Sequence, residues 1–448
     1  MEKKIKNTAS MIFLFLCLII LAGSKPSSLY AQGTDNGIQY RQLPMDVYKD
    51  KVAGGWLGQA IGVLFGQWTE AKWQTSIVPF DLDDWYRAKT PPKALSDKTA
   101  AFKDYMGKRI VMEPYYSDWK NWEKWTPDKM SDQDDLYIEF MFLYSIMKYG
   151  IDVSATEIAE DWIKYLAPNR VWGANKSAYL NFRKGIWPPL SGLPKNSTTE
   201  GDAIDYQIEC DLFGLISPGL PRVSNAWGEK VGHIMNYGDG VYGGMAISAM
   251  YGAAFFESNP RKLVEYSLKA IPSESGYAKM IQDVLDVSQK YPNWQDAWKV
   301  IKQKWGMKDG KPIYRLDVRI NGAFVYIGLL YGGGDFWKSM NIAMRCGVDS
   351  DCNASSVAGI LGVVLGMKGI PEKWAILRNL PIDNISIPDK EIYSNPIKWD
   401  DILNATVDAG KWNILENGGY LSKGIFYIPY QTPSASPLEQ SIWGEQAK

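Results

Sequence analysis

Histidine is almost missing: the 448-residue chain holds one, His233. That excludes a zinc site built on several histidines and reduces a Ser-His-Asp triad to a one-candidate search. Cysteine is scarce as well, with four in all. Cys17 lies in an apolar leader. Cys210, Cys346 and Cys352 then form an odd set, so no complete disulfide framework is implied, although one pair can form in an oxidising compartment. Net charge is also missing, since 49 Lys+Arg oppose 50 Asp+Glu. The basic footprint of a nucleic-acid partner is therefore absent. No apolar run beyond the leader is long enough to span a bilayer. What the chain has in quantity is apolar and aromatic surface. Apolar residues make up 46%, with 19 Trp and 26 Tyr. That supports a sizeable core and excludes global disorder.

The leader reads as an address. Lys3, Lys4 and Lys6 precede an apolar run from Met11 to Gly23, and Ala31 closes a small-residue stretch. This is the layout of a secretory signal peptide. Its removal leaves 45 basic and 49 acidic side chains, a formal charge of −4. The expectation is an exported protein, periplasmic or secreted, with no membrane span in the mature chain.

Beyond the leader the pattern is helical. Val52, Trp56, Leu57, Ala60, Ile61 and Leu64 recur at helical spacing between Asp46 and Gly66. Gly54, Gly55, Gly58 and Gly62 share that segment. Glycine is costly inside a helix unless something packs closely on the backbone, so this helix should be buried and crossed at short distance. Residues 71–130 differ, mixing Trp73, Trp85, Trp119, Trp122 and Trp125 with proline and charge. They read as a long, partly helical, aromatic insertion. From Leu136 onward, Leu136–Tyr149, Ala155–Leu166, Ala203–Ile216, Val241–Phe256, Gly322–Tyr331 and Ala354–Met367 read as helices, many apolar on most faces and so central in a bundle. Short strands are expected near Asn384 and from Gly424, in a small irregular or β extension over 386–448.

Two acidic clusters each precede a helix: Asp132-Gln133-Asp134-Asp135 and Asp349-Ser350-Asp351-Cys352-Asn353. Acids at a helix start also serve as caps. Capping explains one acid in each pair, not two. Adjacent carboxylates repel unless a cation joins them, and oxygen-rich loops suit Mg²⁺ or Mn²⁺.

At these residues the sequence resembles the ADP-ribosylglycohydrolase family, of the dinitrogenase-reductase-activating-glycohydrolase type. Gly62-Val-Leu-Phe-Gly66-Gln-Trp-Thr-Glu70 is similar to that family's Gly-Asp-Ala-Leu-Gly-x-x-x-Glu. Gln133-Asp134-Asp135 stands where Thr-Asp-Asp is usual. Tyr242-Gly243-Gly244 with Ala253-Ala254-Phe255 resembles its Tyr-Gly…Ala-Ala-Phe helix. Gly347-Val348-Asp349-Ser350-Asp351-Cys352 resembles Gly-Gly-Asp-x-Asp-Thr. Pieces in this order span about residues 46 to 378, in a form like an exported bacterial branch.

The resemblance implies a large orthogonal all-α bundle over residues 32–385 with one or two Mg²⁺ or Mn²⁺ ions between helices. It assigns Gln133, Asp134, Asp135, Asp349, Asp351 and Cys352 to the metal. Asp132 enters if the register slips. It makes Glu70 the best general acid or base, beside Asp351, with Glu209 second. The departures are Gln133 and Cys352 for hydroxyls and Val63 for an aspartate; a thiol is a poor ligand for Mg²⁺. Glu209, His233, Tyr242 and Trp119 are the substrate-side candidates, each with a plain structural alternative. Glu209 and Asp211, read as one helix, point to different faces. The implied activity is metal-dependent hydrolysis of an N- or O-glycosidic bond, on an ADP-ribosyl group or a small-molecule carbohydrate glycoside. The alternative of another class is a glycan-binding protein on a decayed enzyme scaffold.

Overall fold

The computed structural model describes residues 32–35, 37–88, 122–130, 132–196 and 201–439. The leader and Trp119 lie outside the described residues, as does most of the aromatic insertion. The architecture is all-α, as the pattern and the resemblance predict. The seven longest helices among the described residues are α1 (Met45–Gly66), α2 (Asp134–Tyr149), α3 (Asp239–Ala254), α4 (Gly276–Lys290), α5 (Val318–Gly332), α6 (Ser350–Leu365) and α7 (Trp399–Glu416). Several end where a glycine with positive φ turns the chain: Gly150 after α2, Gly333 after α5 and Gly366 after α6.

The centre is the α1–α6 pair. From Val52 to Gly66 every residue of α1 is buried, so this stretch has no solvent face. Its glycines face α6 backbone. A Cβ at Gly54 would sit 2.2 Å from the Gly362 carbonyl oxygen, and one at Gly58 2.1 Å from that of Ala358. At Gly62 it would sit 2.4 Å from the Ala354 oxygen, and at Gly66 2.4 Å from Asp351 Cα. One glycine per turn thus allows two helices to touch backbone to backbone, and the last contact lands on the second acidic loop.

Three expectations change in detail. Ala203–Ile216 is two short helices, Asp205–Ile208 and Asp211–Leu215, broken at Glu209–Cys210. The break follows from buried polar demand: Leu212 N–H donates to Glu139 Oε2 at 2.8 Å instead of continuing one helix. The described parts of 71–130 hold no α-helix; Tyr86–Ala88 pairs with Trp122–Lys124. Their aromatics cover the core, with Trp85 edge-on to Trp374 at 5.2 Å and Phe80 edge-on to Trp122 at 5.6 Å. Near Asn384 there is an isolated bridge at Ile382 in place of a strand.

The hairpin from Tyr420 to Pro429 does form, and it joins residues 32–35 and 38–44 in a four-stranded antiparallel sheet. The stretch after 386 also carries α7, tied to α1 where Trp56 Nε1 donates to Thr406 Oγ1 at 3.1 Å. Cys210, Cys346 and Cys352 are free and buried. No helix among the described residues is long and apolar enough to cross a membrane.

Candidate functional site

The two acidic clusters meet. Asp134 and Asp135 open α2, and Asp349, Ser350 and Asp351 open α6. The Cys352 thiol donates to Asp135 Oδ1 at 3.2 Å. Ligand atoms of Asp349, Asp351 and Cys352 lie within 4.8 Å of one another. Thr69 Oγ1 and Ser350 Oγ, 2.7 Å apart, join the end of α1 to the start of α6.

Glu70 reaches this place through a strained crossing of two loops. Ala71 N–H donates to Val348 O at 2.9 Å, and Val348 N–H to Trp73 O at 3.0 Å. Both Ala71 (φ 60°) and Val348 (φ 57°) are left-handed. For a β-branched valine that costs about 1–3 kcal/mol, and such strain clusters at functional sites. Gly347 is required beside them, because a Cβ there would lie 2.1 Å from Trp73 O.

The carboxyls crowd one another. Burial, then the charge of Glu70, pushes Asp134 up to about 6. Burial pushes Asp349 up to about 7 against the pull of Arg315. Asp135 and Asp351 are held well above the usual carboxylate range, by burial first and then by Asp134 and Glu70 respectively. Among the described residues, Asp135 Oδ2 and Asp351 Oδ1 are buried with no hydrogen-bond partner. A buried carboxylate oxygen without a donor is costly. Orphaned oxygens facing like charges are what a hard divalent cation satisfies, so these residues fit such an ion. Burial, then Asp135, pushes the Cys352 thiol up. It stays protonated and serves as a donor to Asp135.

The surroundings hold the site rigidly. Asn321 donates to Arg315 O at 2.8 Å and Asp317 O at 3.0 Å, and its Oδ1 accepts from Asp349 N and Asn353 Nδ2. It is a buried clamp. Arg315 Nη1 lies 3.2 Å from both Glu70 Oε1 and Asp349 Oδ1. Beneath the site, Gln59 Nε2 donates to Glu139 Oε1 at 2.8 Å and Asp211 Oδ2 at 3.0 Å. That layer ties α1 to α2 one turn below Asp135.

The other residues singled out in the sequence fall in four places. Glu209 is fully buried at the helix break. It accepts from Asn175 Nδ2, and burial, then Asp205 and Asp134, pushes it well up. It borders the acidic site. Asp132 faces elsewhere: Arg170 Nη2 at 2.9 Å and Ser386 Oγ at 2.6 Å hold it. Gln133 is the half-buried N-cap of α2 and makes no side-chain cap bond.

His233 and Tyr242 gather around Glu439. His233 Nε2 lies 2.7 Å from Glu439 Oε1, Gly238 N donates to Glu439 Oε2 at 2.6 Å, and Glu439 N donates to the Tyr242 hydroxyl at 2.8 Å. Burial pushes the His233 imidazole down, but Glu439 and the Glu229 carbonyl outweigh it, and its pKa lies above 6.5. A raised imidazole pKa stabilises the fold fully below pH 6.5, and the contribution fades as pH rises through the raised value. Replacing His233 by Phe should therefore cost about 3 kcal/mol at about pH 6 and clearly less at about pH 9. Thermal melts at the two pH values measure the difference.

Sequence reasoning missed Arg315 and Thr69. Asn321, which reads in the sequence as a cap before a helix, lies inside α5 instead; Asp317 caps that helix, and Asn321 clamps Asp349.

The fold and the site define a helical protein with an acidic, cation-fitting centre between the starts of two helices. The family model described as ADP-ribosylglycohydrolase matches residues 44–392. The chain belongs to the ADP-ribosylglycohydrolase family. Among solved structures, one described as "ADP-ribosylglycohydrolase-related protein complex" is similar at 12% identity and a TM-score of 0.49, over 82% of this chain and 99% of that one. No curated protein matches.

Proposed function

We propose that the protein hydrolyses an N- or O-glycosidic bond of an ADP-ribosyl group or a related small glycoside, with Mg²⁺ or Mn²⁺ held by Asp134, Asp135, Asp349 and Asp351. The observation that carries this reading is the meeting of two acid pairs with orphaned buried oxygens on Asp135 and Asp351. A bound divalent ion supplies charge to orient sugar hydroxyls and lower the pKa of water. The protein's own residues do the rest. Glu70, half-exposed at the mouth, is the carboxylate placed to take or give a proton at the glycosidic centre. The Cys352 thiol and the Asn321 clamp fix Asp135 and Asp349. Trp172 and Tyr314 are exposed on the segments that carry Asn175 and Arg315, and such rings stack on sugars and bases alike. The leader makes this an exported enzyme, tested by the mass of the chain recovered outside the cytoplasm.

The experiment is a calorimetric titration of Mn²⁺ and Mg²⁺ into chelator-treated protein, followed by assays on ADP-ribosyl and aryl-glycoside substrates. Saturable binding with metal-dependent release of product is expected. Glycan binding that needs no metal and yields no product would instead establish the decayed-scaffold reading.

A further inference from the structure

We infer that Arg315 is the built-in counter-cation of the acidic site and sets its affinity for a divalent ion by competing for Glu70 and Asp349. One guanidinium nitrogen, Nη1, lies 3.2 Å from Glu70 Oε1 and 3.2 Å from Asp349 Oδ1. It therefore joins the mouth of the site to its buried second loop. Asp349 is 5% exposed at its side chain, against 28% for the arginine and 39% for Glu70. The bridge thus runs from solvent to interior.

The placement is built. The Arg315 carbonyl is held by Asn321, and the same Asn321 receives the amide of Asp349. One buried side chain fixes both the arginine and the aspartate it grips. The next residue is fixed too, since Leu316 O accepts from Ile204 N at 2.9 Å. Arg170, beside the first loop, is committed to Asp132 through both its backbone and its carboxylate. Among the described residues, the ion pairs of Glu70 and Asp349 are both made by Arg315.

A guanidinium stays charged at every accessible pH. An ion that takes Glu70 Oε1 or Asp349 Oδ1 therefore meets a permanent positive charge at that same oxygen, and one that takes the other oxygen meets it on the same carboxylate. At a few ångströms and reduced dielectric, such a charge opposes a doubly charged ion strongly. Arg315 also turns Glu70 toward Asp349, so it is a positioning residue for the proposed acid–base carboxylate. The inference rests on the metal-dependent reading of the same site.

The test is Mn²⁺ titration calorimetry, with Mn²⁺-induced melting shifts, on chelator-treated wild type, Arg315→Gln and Arg315→Lys. Arg315→Gln should bind Mn²⁺ about ten-fold more tightly or better, and show the larger melting shift. Arg315→Lys, which keeps the charge, should stay closer to wild type. If Arg315→Gln is insoluble, Arg315→Met takes its place with the same expectation. Binding by the uncharged variant alone would also support the inference. Equal or weaker binding by that variant, with wild type binding well, overturns the competition and leaves the metal-dependent reading standing. No binding by any variant overturns both.

Discussion

Replacing Asp351 by Asn should abolish saturable Mn²⁺ binding and lower hydrolysis about 10³-fold or more, while raising the melting temperature of the chelated protein. In the proposed reading, metal and rate depend on a charged oxygen at the start of α6, and an amide supplies only a weak neutral one. Stability moves the other way for an electrostatic reason. Asp351 is buried, faces Glu70, Asp349 and Asp135, and is held well above the usual carboxylate range. A carboxyl with a raised pKa binds more protons in the folded than in the unfolded chain. Stability therefore falls as pH rises from the ordinary value near 4 through the raised one. For its neighbours that window runs from 3.8 to about 6 at Asp134 and from 3.8 to about 7 at Asp349. At about pH 8 the uncharged Asp351→Asn variant escapes its share of this repulsion, and at about pH 4 it gains little. Melts of chelated wild type and Asp351→Asn at both pH values measure the gap. A variant that melts below wild type at the alkaline pH would show that Asp351 acts as a structural cap, not as a strained ligand.

Replacing Gly58 by Val should prevent accumulation of folded protein, and Gly58→Ala should lower stability by about 4 kcal/mol or more. Overpacking a core usually costs about 1–3 kcal/mol because neighbouring side chains can turn aside. Here the obstacle is the Ala358 carbonyl oxygen, 2.1 Å from the new Cβ. Backbone of a buried helix cannot turn aside without separating α1 from α6. A domain whose whole stability is about 5–15 kcal/mol does not carry such losses easily. Trimming the facing side chain, as in Gly58→Ala with Ala358→Gly, should not rescue it, because the clash is with main chain. Denaturant melts of the single and double variants decide. Rescue by the double variant would mean that side-chain crowding sets the cost.

Helix content was legible because burial repeats at the period of the element. The fully apolar segment from Val52 to Gly66 and the runs that became α2, α3, α5 and α6 needed no partner to be recognised. The glycines of α1 were legible as a close crossing, since nothing else offsets their entropic cost in a helix. The acid pairs were legible as well, because capping uses one acid and these loops hold two. The break at Glu209 was not legible. It depends on Glu139, 73 residues earlier, taking the Leu212 amide. His233 and Tyr242 sit beside family-like motifs, yet both bond Glu439, which no local pattern connects to them.

By itself the sequence determined an all-α chain, the closeness of its first helix to a neighbour and the two loops that carry carboxylates. Each of these is written in periodicity or in residues a few positions apart. Only the tertiary structure decided that the loops face each other, that Asp132 belongs to Arg170, that Asn321 clamps Asp349, and that Arg315 stands between Glu70 and Asp349. Those are contacts across tens to hundreds of residues. They are set by where α1 and α6 touch backbone to backbone, and no local spacing encodes that distance.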